Sequence, residues 1–103
     1  PDVETEEQTR TKPKQQPPYA VILHNDDYNT FPFVAEVLCK VFRYTWWKSF
    51  SLTVQIHFSG RGIVWSGLLE VAELKADQMR SCGADPNGRK GVQPLKVSVE
   101  PLP

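Results

Sequence analysis

Five residues have the chemistry to bind or react: His24, Asn25, Asp26 and Asp27 in one run, and His57 further along. Two imidazoles and two carboxylates could in principle hold a divalent cation. That would require His24 and Asp26 to converge from the end of a strand, and no familiar metal-ligand spacing is present. A nucleophilic triad is not visible either, because neither Cys39 nor Cys82 nor any serine stands in a nucleophile-elbow pattern. Taken locally, Asn25-Asp26-Asp27 is a turn leading into a helix, and His57 is a histidine tucked beside a core. The pair Trp46-Trp47 invites base stacking, but only Arg43 and Lys48 flank it, so core or partner contact is the expected use.

These residues need elements to position them. Tyr19-Ala-Val-Ile-Leu-His24 is a short apolar run that ends at strong turn formers, which predicts a buried strand. Phe33, Val34, Val37, Leu38, Val41 and Phe42 then recur at helical spacing. Asn29 or Thr30 can cap that helix, and Pro32 suits its first turn. From Phe50 to Phe58 the pattern conflicts. Phe50, Leu52, Val54, Ile56 and Phe58 alternate as in a strand, whereas Trp47, Phe50, Val54 and Phe58 mark one helical face that Gly60 would close. Period alone slightly favours the strand. Ile63-Val64-Trp65 predicts a short strand, and Ser66 is positioned to cap a helix with Leu68, Val71, Ala72, Lys75, Ala76 and Met79 along one side. Gly83 ends it, Asp85-Pro-Asn-Gly88 is loop, and Leu95 to Val99 alternates as a last strand before Pro101.

The chain has 103 residues, room for one small domain. Lysine plus arginine and aspartate plus glutamate both number 12, so no basic stripe predicts a general nucleic-acid binder. No apolar run approaches the ~20 residues of a membrane span. Two cysteines form neither a metal motif nor a disulfide framework, and no secretory signal pattern opens the sequence, so a reducing cytoplasm is expected. Residues 1–18 hold one aliphatic side chain, Val3, among Glu, Gln, Thr, Lys and Pro. Such a segment cannot bury enough apolar surface to offset its ordering entropy, which predicts a disordered extension before a folded body over 19–103.

The stretch Val21-Ile-Leu-His-Asn-Asp-Asp-Tyr28, followed by Phe33-Val34, Val37-Leu38, His57 ahead of Gly60, and Glu70-Val-Ala-Glu-Leu-Lys75, resembles the ClpS adaptor family. The likeness runs from about Tyr19 to the end of the chain. It implies an α+β domain in which a three-stranded antiparallel sheet packs on three helices in the order β-α-α-β-α-β. It also implies that residues 45–59 are helical, against the period-2 reading. By resemblance the chain is a monomeric, non-enzymatic bacterial adaptor without metal or cofactor. Such adaptors bind the free N-terminal residue of N-degron substrates when it is Phe, Tyr, Trp or Leu. They then hand the substrate to a Clp AAA+ unfoldase and its peptidase. The matching positions place Asn25, Asp27 and His57 on the substrate α-amino group, with Asp26 shaping that corner. Phe31, Val34, Thr53, Ile56 and Leu95 would line the side-chain pocket. Glu70 and Lys75 would face the unfoldase N-terminal domain.

The chemistry suits that assignment. An α-ammonium offers three donors and no acceptor, and an amide carbonyl, a carboxylate and a neutral imidazole supply three acceptors. Thr53 and His57 are four apart, so one helical face presents a pocket wall and an amine ligand together. Phe31 and Thr53 stand where many members carry methionine, which leaves the side-chain preference open to Ile or Val. The alternative is a scaffold or ribosome-associated interaction domain without a ligand pocket. An enzyme comes third.

Overall fold

The computed structural model describes residues 17–103. The expected disordered extension therefore lies outside the described residues, apart from Pro17 and Pro18, which are exposed. Strand β1 (Tyr19–His24) is followed by helices α1 (Phe31–Phe42) and α2 (Trp46–Ser59). Then come strand β2 (Arg61–Gly67), helix α3 (Leu69–Ser81) and strand β3 (Lys96–Pro101). The strand order is β2-β1-β3, both pairs antiparallel.

The continuous apolar run of β1 makes it the central strand, with Ala20 through Leu23 all buried. Val21 and Leu23 point to the helices and join Val64 of β2 and Val97 of β3 in the core. On the other face, Ser98 and Glu100 lie opposite Ile22 and Ala20. There His24 Nε2 shares a 2.8 Å hydrogen bond with Ser98 Oγ, and Arg61 donates to Glu100 at 3.0 Å. The β1–β2 register slips between Val21 and Ile22, a bulge that turns Val64 into the core.

Each helix boundary has a chemical cause. Thr30 Oγ1 accepts from Phe33 N at the start of α1, so Thr30 is the cap and Asn29 is used elsewhere. Thr45 Oγ1 accepts from Lys48 N at the start of α2, and Gly60 closes it at φ 89°. The stretch that alternates in sequence is therefore helix, as the resemblance implied. Its buried stripe is Ser49, Thr53 and Ile56 rather than the expected Trp47, Phe50, Val54 and Phe58. Trp47 and Phe58 are 76% and 82% exposed, while Phe50 and Val54 are half-buried. The small Ser49 lets α2 approach α1 closely, where Cys39 Sγ lies 3.3 Å from Ser49 Oγ. A bulky residue there would hold the helices apart.

Two further expectations are corrected around α3. Ser66 lies within β2 and pairs with Ala20, so it is not the cap; Leu68 takes that position without a side-chain bond. Leu68 is also 74% exposed, off the buried side. Ala72, Ala76 and Met79 do face the core, with Lys75 half-buried beside them. Extending β2 to Gly67 requires that glycine, because a Cβ there would sit 2.4 Å from the Trp65 ring.

Candidate functional site

The site forms where β1 stops. His24 is the last strand residue, Asn25 N bonds to Gly60 O at 2.9 Å, and the chain then turns sharply toward α1. Asp26 builds that turn. Its Oδ1 accepts from Tyr28 N at 2.9 Å and Asn29 N at 2.7 Å, and its Oδ2 accepts from Asn29 Nδ2 at 2.9 Å. Asn29, buried, extends the network by donating to Gln93 O and accepting from Asp85 N. Asp85 in turn takes the Thr30 backbone N–H at 2.8 Å, the Thr30 hydroxyl at 2.6 Å and Asn87 N at 2.8 Å. Burial opposes the Asp85 charge, but these donors outweigh it and hold the carboxyl below its ordinary value. The turn after β1 and the loop before β3 are thereby tied into one rigid unit.

Beneath that unit lies a recess. Its walls are Leu23 from β1, Phe31 and Val34 from α1, Thr53 and Ile56 from α2, and Leu95 ahead of β3, with His24, Asn25, Asp26 and Asn29 at its rim. The five residues expected as a side-chain pocket are thus neighbours around one apolar space. The free space is about 20 Å³, enough for one water molecule. Asn25 and Asp26 reach the rim, whereas Asp27 is exposed beside it and accepts from Asn25 Nδ2 at 3.3 Å. That bond leaves the Asn25 carbonyl oxygen without a side-chain donor among the described residues.

His57 packs edge-on against Phe31 with ring centroids 4.9 Å apart. Its Nδ1 is buried and has no hydrogen-bond partner. An unpaired buried polar atom costs about 1–3 kcal/mol, which makes this nitrogen a candidate acceptor for a ligand. From His57 a row of aromatic rings continues through Phe31 of α1 back to α2. Phe31 meets Phe50 at 6.3 Å, and Phe50 stacks on Trp46 at 6.0 Å.

Glu70 and Lys75 are not brought together. Glu70 is exposed in the first turn of α3, while Lys75 Nζ donates to Val41 O at 3.0 Å, satisfying a carbonyl at the C-terminal end of α1. His24 points to the outer face of the sheet, where Nε2 meets Ser98 Oγ. Among the described residues no group of three His, Cys, Asp or Glu is placed to hold an ion. What sequence reasoning missed is the pair Asn29 and Asp85. Their residue types announce turn chemistry, but nothing local announces that they bond to each other across the chain.

The family model described as "ATP-dependent Clp protease adaptor protein ClpS" matches residues 14–98. An ATP-dependent Clp protease adapter protein ClpS from Nostoc is 44% identical over 84 residues, 81% of this chain and 87% of that protein. A ClpS from Myxococcus xanthus is 32% identical over 97 residues, 94% of this chain and 86% of its own. The fold is similar to that of Agrobacterium tumefaciens ClpS2 bound to L-phenylalaninamide, with TM-score 0.74, 30% identity, 85% of this chain and all of that one covered. Matched along nearly its whole described length in sequence and in fold, the chain belongs to the ClpS family.

Proposed function

We propose that the protein is an adaptor that binds the free N-terminal residue of a substrate polypeptide and delivers it to a Clp AAA+ unfoldase. The carrying observation is the buried, unpartnered Nδ1 of His57, whose ring packs on Phe31, a wall of the recess. With the Asn25 carbonyl and the Asp27 carboxylate it completes an acceptor set for an α-ammonium, and Asp27 supplies the charge that a desolvated ammonium needs. The first side chain then enters between Phe31, Val34, Thr53, Ile56 and Leu95, where its burial contributes about 1.5–3 kcal/mol. Asp26 holds the corner, its oxygens accepting from three N–H groups of the turn. A phenylalanine derivative bound to the ClpS2 relative supports a large hydrophobic side chain as the ligand.

The recess holds about one water, so a large ring enters only as the wall gives. Phe31, half-buried in the first turn of α1 and in ring contact with Phe50 and His57, is the wall residue we assign to that movement. We assign these residues to recognition of the N-terminal residue and give none of them a catalytic role. Glu70 is assigned to unfoldase docking, and Lys75 borders that surface.

The test is a fluorescence-anisotropy titration with a Phe-initiated peptide, free or N-acetylated. Acetylation removes the charge and strands buried acceptors, so affinity should fall by several kcal/mol. Equal affinity for both peptides would overturn the reading.

A further inference from the structure

The turn from Asn25 to Thr30 is pinned at both ends. At its start Asn25 N bonds to Gly60 O at 2.9 Å, three residues beyond His57, which ties the Asn25 backbone to the helix that carries the imidazole. At its end the pin is Asp85, from the loop before β3. Its Oδ2 accepts from Thr30 N at 2.8 Å and from Thr30 Oγ1 at 2.6 Å, and its N–H donates to Asn29 Oδ1 at 3.0 Å. Asp85 is buried, and helix α1 has no acidic residue in its own first turn, so this carboxylate supplies negative charge at that N-terminus. Between the two pins stands Asp27. It is exposed, and its one side-chain hydrogen bond among the described residues is the 3.3 Å contact from Asn25 Nδ2. The place of Asp27 is set by the closure of the turn and hardly by contacts of its own.

We infer that Asp85, which lies outside the recess walls, is a positioning residue for the substrate α-ammonium, holding closed the turn that presents Asp27. The inference rests on the function proposed above, in which Asp27 supplies the charge opposite the ammonium. An asparagine at position 85 would bring one acceptor oxygen and a donating NH2 to a place where Thr30 N, the Thr30 hydroxyl and Asn87 N all donate. The far pin then loosens, and a turn that is closed only part of the time lowers the apparent affinity by that fraction. The apolar walls keep their own anchors. Leu95 directly precedes Lys96, which pairs with His24 of β1, while Thr53 and Ile56 are buried on α2. The loss therefore falls on the amine contact and spares the side-chain recess.

The experiment titrates one labelled Phe-initiated peptide by anisotropy against the wild type, Asp85→Asn, Asp27→Asn and the double variant, with circular dichroism establishing that each is folded at the assay temperature. Asp85→Asn should weaken binding about tenfold, as for a turn closed about a tenth of the time. In the Asp27→Asn background the same substitution should change nothing, because the group it positions is gone. Tyr44→Phe gives up a 2.7 Å bond to Val64 O beyond the other end of α1, so it should lower the urea midpoint and leave affinity unchanged. If Asp85→Asn does not fold, Thr30→Val and Thr30→Ser decide instead: the valine loses the hydroxyl bond to Asp85 and should weaken binding, whereas the serine keeps both. Wild-type affinity in Asp85→Asn, an equal loss in the two backgrounds, or equal affinities of the two Thr30 variants overturns the inference and leaves the proposed function standing. Wild-type affinity in Asp27→Asn alone overturns the amine assignment itself.

Discussion

Asp85 collects two donors from Thr30 and one from Asn87, and through its own N–H reaches Asn29. Its carboxyl is held below the ordinary value near 3.8, so its charged form is bound more tightly in the folded protein than in the unfolded chain. That contribution is fully present above about pH 4 and is lost as pH falls through the depressed folded value. Asp85→Asn should therefore destabilise the protein by about 1–3 kcal/mol at neutral pH, with the gap to wild type closing below about pH 4. Thermal melts of both proteins between pH 3 and 7 check this, and a gap independent of pH would remove the charge from the account. Thr53 makes a different prediction. It is buried in the recess wall and its hydroxyl is already bonded to Ser49 O, so the recess meets its methyl group. Thr53→Met would thrust a long side chain into a nearly full space. It should lower affinity for Ile- and Val-initiated peptides relative to Phe by about tenfold, a graded change. An unchanged Ile-to-Phe ratio would show that position 53 does not shape the choice.

Among the elements, α2 shows best what a sequence does and does not display. Its C-terminal end was legible, since Gly60 is a capping residue and sits at φ 89°. Its interior was not, because the aromatic and β-branched residues that alternate are also spaced to populate helical edges. What settles the helix is Ser49, a residue with no hydrophobic signal, whose small size lets α2 pack against Cys39 of α1. Hydrophobic pattern finds faces made of large residues and overlooks faces made by close approach. The same blindness explains Leu68, apolar yet exposed, and Ser66, a plausible cap that strand pairing claimed first. By contrast β1, α1 and the run Asn25-Asp26-Asp27 were plain, since composition and turn chemistry agree there. Helix α3 carries the element-scale prediction. Glu70→Lys should cost about 0.3–1 kcal/mol through its unfavourable charge at the helix N-terminus, and should abolish binding to a Clp N-terminal domain with peptide affinity unchanged. Lys75→Glu should cost about 1–3 kcal/mol, because Val41 O loses its donor and gains a carboxylate. Urea melts separate the two, and a wild-type midpoint for the lysine variant would mean that its bond to α1 supports nothing.

At the scale of the whole molecule, charge and aromatic surface are segregated although the net charge is zero. Cations gather on the loop before β3, Asp27 stands exposed in the turn after β1, and the outer face of the sheet pairs Arg61 with Glu100. The aromatic row runs from Phe31 of α1, in the recess wall, through Phe50 to Trp46 at the start of α2, which is 49% exposed. That row has an optical consequence. A side chain that pushes Phe31 aside also moves the ring stacked on Trp46, and an indole's emission depends on what lies against it. The other two tryptophans are placed to stay silent, Trp47 standing 76% exposed and Trp65 lying across Gly67 on the sheet. Unlabelled protein should thus change its tryptophan emission on titration with a Phe-initiated peptide, and Trp46→Phe should erase the change while binding persists. The fold carries its own occupancy signal, readable in light without a dye.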